Sequence, residues 1–169
     1  FHLNVAGEYV YDGALYACQN DDAKQRRSKR AVWGMAAILT VAVAAGGCIP
    51  APGMQNCFYV LLPYLGEFLG AASVIWALAK LGMDWGTVRE YNYKKSVAVL
   101  PVRTAVTAVF SGLGIVCELI FFFVNDHAGQ TFFALLYVLL KLTALLSALV
   151  LRAEIMQAEW DKLPKKDNS

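Results

Sequence analysis

Two acids and one base interrupt otherwise apolar runs of this chain: Glu67 in "LLPYLGEFLGAAS", Glu118 in "GLGIVCELIFFF" and Lys141 in "FFALLYVLLKLTALLSALVL". An uncompensated charge at a bilayer centre costs ~2.5 to 3.5 kcal/mol on insertion scales. Three such groups are therefore expected to meet rather than to scatter. Counting ~1.5 Å of helix rise per residue from the outer ends, Glu67 (ten residues past Cys57) and Lys141 (ten past Thr131) both lie about 15 Å down, and Glu118 (seven before Asn125) about 10 Å. The three share one layer.

Their spacing also gives them a common direction. Pro63, Glu67, Gly70, Val74 and Ala77 run down one side of a helix; so do Thr104, Thr107, Ser111, Gly114 and Glu118, and again Ala134, Tyr137, Lys141, Ala144 and Ala148. Small residues let membrane helices approach closely, and Gly66 with Gly70 adds a GxxxG. The charged stripes are thus expected to be packing faces, with Lys141 set against Glu67, Glu118 or both. A fourth line, Gly34, Ala37, Val41 and Ala44, lies in a run so uniformly small that it carries no directional information. With two acids for one base, one carboxyl is expected to hold a proton at least part of the time, because burial and a like-charged neighbour both disfavour ionisation. Together with Tyr64, Tyr137 and Ser111, the three charged residues form the candidate ion- or substrate-binding set. Pro63 removes a backbone donor from its helix and frees the carbonyl near Tyr59, which makes a broken turn beside the acids a possible ligand site.

Other chemistry finds less support. Cys48 and Cys57 flank an outer connection where disulfides persist, and a structural staple between them is the expectation. No C-x-x-C occurs, which leaves an outer-face thiol oxidoreductase as a minor alternative to a non-enzymatic protein. His2 and His127 are far apart in sequence, giving no zinc pattern and no nucleophile-base pair. Phosphate-loop, dinucleotide and nucleophile-elbow motifs are all missing. Neither a cofactor nor a metal is expected.

The elements that must position these residues are read from composition. The chain is 169 residues long and 58% hydrophobic, with a mean hydropathy of +0.47, beyond the 45 to 50% apolar share of ordinary soluble domains. Four windows, about 31–49, 57–79, 102–124 and 131–151, reach the ~20 apolar residues that a span requires. Thirteen of the fifteen Lys and Arg residues fall before the first window, between the second and third, or after the fourth, and Arg103 sits at the very start of the third; 49–56 and 125–130 hold none. The positive-inside rule then gives an all-α integral membrane protein, a four-helix bundle with both termini cytoplasmic. By the same rule "KQRRSKR" orients the first span, in preference to binding nucleic acid or anionic lipid. That span reads as a helix and not as a cleaved export signal.

The remaining segments are expected to be small. Residues 1–30 form a cytoplasmic leader in which Asp12-Gly13 signals a β-hairpin, leaning on the membrane, the cytoplasmic loop or a neighbour. "GGCIPAPGMQNC" reads as a compact turn. Thr87 with Glu90 reads as a capping box opening a short interfacial helix, with Pro101 starting the third span. Residues 152–169 form a tail whose period through Ile155, Met156, Trp160 and Leu163 extends the last helix to Pro164. Four short spans barely enclose a polar cavity, so a homo-oligomer or a larger membrane partner is expected. Two functions fit: a small transporter or channel-like subunit of a bacterial cytoplasmic membrane, in which the Glu/Lys cluster binds a proton, cation or small polar substrate; or a non-transporting assembly protein whose buried charges hold a partner.

Overall fold

The computed structural model describes residues 2–3, 9–10, 14–18, 22–82, 85, 87–125 and 130–163. Its elements run β1 (His2–Leu3), β2 (Tyr9–Val10), β3 (Leu15–Cys18), α1 (Asp22–Cys48), α2 (Pro52–Asn56), α3 (Phe58–Leu81), β4 (Val88–Arg89), α4 (Glu90–Lys95), α5 (Leu100–Val124), α6 (Thr131–Met156) and β5 (Trp160–Lys162). Helices α1, α3, α5 and α6 are each long and apolar enough to cross a membrane. Helix α5 packs along both α3 and α6, and α1 packs along α6 with a lighter edge on α3.

Polarity in this bundle is inverted relative to a soluble one. The outer surface carries Phe58, Leu69, Trp76, Phe123, Phe132 and Leu135, all exposed, while Glu67, Thr104, Thr107, Ser111, Glu118 and Lys141 are buried. Soluble monomers seldom expose continuous apolar patches beyond a few hundred Å². An apolar surface on every helix is what acyl chains solvate, and it suits a multi-pass membrane architecture.

The three stripes expected to be packing faces are buried throughout. An added Cβ at Gly66 would sit 2.5 Å from the Phe110 ring, and one at Gly70 would sit 2.6 Å from Thr107 Oγ1, so this GxxxG joins α3 to α5 within the chain. In α1 the buried line is Val32, Ala36, Leu39 and Val43. The line Gly34, Ala37, Val41 and Ala44 faces outward. Helix α3 continues through the buried Pro63 without interruption, so no broken turn forms there.

The connecting segments depart from several sequence expectations. Among the described residues no strand pairing joins the runs on either side of Asp12-Gly13, a dipeptide that itself lies outside them. Strand β2 pairs instead with β1, and β3 lies between β4 and β5 as the centre of an antiparallel three-stranded sheet. The last helix stops at Met156 rather than running to Pro164, because Trp160–Lys162 finds hydrogen-bonding partners in Tyr16–Cys18. The capping box does not form. Val88 and Arg89 are strand, the α4 N-cap is Arg89 with no side-chain bond, and Glu90 Oε2 accepts the Ala14 amide at 3.3 Å. Pro101 does open α5. Beneath the bundle an aromatic cluster ties the sheet to the helices: Tyr16 stacks on Tyr93 with centroids 4.2 Å apart, and Trp160 lies 6.0 Å from Trp85 and 5.9 Å from Tyr93. This sheet gathers the leader, the α3–α5 connection and the tail at one end, here termed the terminal side.

At the opposite end the expected turn is a short helix. Pro52 suits the first helical position, where its missing N–H is no loss. The helix folds inward, burying Ala51, Pro52 and Gly53 against α3, α5 and α6.

Candidate functional site

Lys141 projects from the middle of α6 into the bundle, where its ammonium donates to Glu67 Oε2 on α3. Both side chains are shut away from the surroundings, at 2% and 0% exposure. The second carboxylate oxygen of Glu67 accepts Ser111 Oγ of α5 at 2.6 Å. Ser111 also lies 3.0 Å from the Thr107 carbonyl, but its single hydroxyl proton serves one acceptor at a time, and an ionised carboxylate can only accept. The ammonium sits 4.6 Å from the Tyr64 ring centroid and 5.0 Å from that of Tyr137, within the ~6 Å reach of cation–π attraction. A hydrogen-bonded partner and two aromatic faces together offset the desolvation of a buried lysine.

One glycine lies alongside this geometry. The Lys141 side chain runs along Gly114, where an added Cβ would lie 3.5 Å from Cε and 3.6 Å from Cδ. These are ordinary contact distances, so the lysine crosses to α3 beside α5 with room for a methyl at this point.

Glu118 belongs to the same layer but has a different environment. Its side chain has 0% exposure, yet among the described residues neither carboxylate oxygen has a hydrogen-bond partner. The hydroxyl of Tyr137, also buried, is unpartnered too. The inward-folded α2 covers this acid: a Cβ on Gly53 would fall onto Glu118 Oε2 and 3.0 Å from a Val60 methyl. The Gly53 amide approaches the carboxylate without meeting hydrogen-bond geometry. Buried polar atoms are hydrogen-bonded in the great majority of cases, which sets this carboxyl apart from Glu67.

The six residues expected to form the site thus divide. Glu67, Ser111 and Lys141 are directly bonded, with Tyr64 and Tyr137 bracketing the ammonium, and the Tyr64 hydroxyl lies 3.4 Å from the Val43 carbonyl of α1. Glu118 stands apart from those bonds. Sequence reasoning missed the cover, Ala51-Pro52-Gly53, whose only local signal is a proline placed to start a helix. The Cys48–Cys57 staple is absent: Cys18, Cys48, Cys57 and Cys117 are free thiols, and the residues between the expected partners form α2 in place of a tight turn. Among the described residues no group of three or more His, Cys, Asp or Glu could hold a metal ion. His127 lies outside the described residues. No family model, curated protein or solved structure matches this chain.

Proposed function

We propose that this protein moves or binds a proton or a small cation across part of the membrane, with Glu118 as the exchanging group and Lys141, held by Glu67, as the cation of the same layer. The observation that carries this reading is the Glu118 carboxyl, enclosed and without a hydrogen-bond partner beneath the α2 cover. Ionised, it is uncompensated except by a lysine already bonded elsewhere; neutralised by a proton or cation, it is stable where it stands. Intramembrane ionisable residues mark functional sites by default, ion pathways among them. Exchange requires α2 to swing away, since this cover lies between Glu118 and the far side. The experiment is gradient-driven proton and alkali-cation flux in proteoliposomes. Flux in the wild type that disappears in Glu118→Gln supports the proposal. An inactive wild type, or unchanged flux in the variant, counts against it.

The same reading places the termini in the cytoplasm of a bacterial cell, by the basic residues grouped at the terminal side. Cys48 is exposed at the far end. A membrane-impermeant maleimide added to intact cells labels Cys48 and leaves Cys18 unreacted; the reverse pattern inverts the topology.

A second reading, a membrane assembly protein, draws on the closure of Glu67 and Lys141 inside one chain. Those charges hold its own helices together, so the surface left for a partner is the terminal side, where Tyr91 is exposed under Lys95 at 4.3 Å from its ring. A companion that co-purifies in mild detergent and is lost on Tyr91→Ala favours this reading. A chain recovered alone argues against it.

A further inference from the structure

Outside the bundle, an apolar groove of about 390 Å³ follows the terminal-side end of α5; Pro101, Val102, Val106, Val109 and Phe110 line it, and Arg152 of α6 joins them. From Pro101 to Phe110 it spans nine residues, ~14 Å of helix, close to half of the ~30 Å hydrocarbon thickness of a bilayer. It is therefore about one leaflet long. Leu100 and Leu151 belong to one core cluster, so the next residue, Arg152, stands level with the start of α5, where the groove begins.

Arg152 is uncompensated among the described residues: it forms none of the salt bridges, hydrogen bonds or ring contacts found there. Arg103, nearby in α5, is different, donating to the Ser73 carbonyl at 2.7 Å. A partly buried guanidinium at the interfacial end of a one-leaflet apolar trough complements an amphiphile whose anionic head and acyl tail are arranged in the same order. Guanidinium is well suited to a phosphate because it presents paired donors in a plane.

We propose that this groove is a binding site for an anionic phospholipid of the terminal-side leaflet, with its phosphate on Arg152 and an acyl chain along Val102, Val106 and Val109. The proposal is independent of ion movement through Glu118. It is tested by equilibrating the detergent-purified protein with equal amounts of phosphatidylglycerol and phosphatidylcholine and measuring retained lipid by native mass spectrometry. The wild type retains the anionic lipid about fivefold over the zwitterionic one, the factor corresponding to ~1 kcal/mol per basic residue at an anionic surface. That preference falls to near parity in Arg152→Gln and survives in Arg152→Lys. It is unchanged in Arg30→Gln, an exposed basic residue on α1. Val106→Trp, which fills the groove, lowers retention of both lipids. Equal retention of the two lipids by the wild type, an undiminished preference in Arg152→Gln, or a lipid-free dimer would overturn the assignment.

Discussion

Glu67 and Glu118 are two carboxyls in adjoining turns of space, both enclosed in the same bundle, and their surroundings differ in almost every respect. Glu67 has an ammonium on one oxygen and a hydroxyl on the other. Glu118 has two oxygens without partners and a short helix lying over it. Burial alone therefore does not assign a role to a membrane carboxylate. What distinguishes the two is whether the fold already supplies their hydrogen bonds. A satisfied group is held in place, whereas an unsatisfied one suits the exchange proposed for Glu118.

The largest expected effect separates these cases directly. Lys141→Met leaves the Glu67 charge buried and uncompensated, and breaking a buried pair in this way costs about 3–5 kcal/mol, read as a lowered unfolding midpoint in detergent. The double variant Lys141→Met with Glu67→Leu recovers most of that loss, since apolar replacement of a whole buried pair is often neutral or stabilising. If the single variant is as stable as the wild type, the seam is not what holds α3 to α6. A second contrast uses two glycines. Gly53→Ala drives a methyl into the Glu118 carboxyl and displaces the cover, at about 1–3 kcal/mol for overpacking. Gly114→Ala meets Lys141 at ordinary contact distance and changes stability by less than ~0.5 kcal/mol. Equal effects at the two positions would remove the distinction between cover and seam.

Smaller and opposite in sign is Glu118→Leu. It removes an unsatisfied polar group and raises stability by about 1 kcal/mol, while abolishing ion movement. A loss of stability would mean that Glu118 has a structural partner after all. The smallest effect concerns the terminal-side sheet. Lys94, at 2.7 Å, and the Ala14 amide hold the Glu90 carboxyl below the usual carboxylate range. Because the folded-state value is depressed, the stabilisation is complete above the ordinary value of ~4.3 and fades as pH falls through the lower folded value. Acidification thus shifts Trp85 and Trp160 fluorescence in the wild type, and the shift is absent in Glu90→Gln.

The sequence made the seam readable for a specific physical reason. Without water to drive association, membrane helices meet through small residues. Thr107, Ser111 and Gly114 therefore marked the same face as Glu118, as Ala134 and Ala144 did for Lys141. Helix α1 offered no such contrast, since nearly every residue there is small, and its inner face became clear only from packing. The terminal-side sheet was illegible because its pairings join distant segments: Trp160–Lys162 has a helical period of its own, and only Tyr16–Cys18 turns it into strand. The cover was missed because density in Gly and Pro marks a turn in most settings, whereas here Pro52 starts a helix and Gly53 permits close approach to a carboxyl. The roles of the two acids could not be separated from sequence, since both lie in one broad layer on packing faces and only the placement of Lys141 and Ser111 tells them apart.

The account turns on which carboxyl exchanges. Infrared difference spectra of the reconstituted protein, taken between acidic and alkaline pH, report the stretch of any buried protonated carboxyl. The account predicts a titrating band that vanishes in Glu118→Gln and persists in Glu67→Gln. A band that persists in Glu118→Gln and vanishes in Glu67→Gln would contradict it.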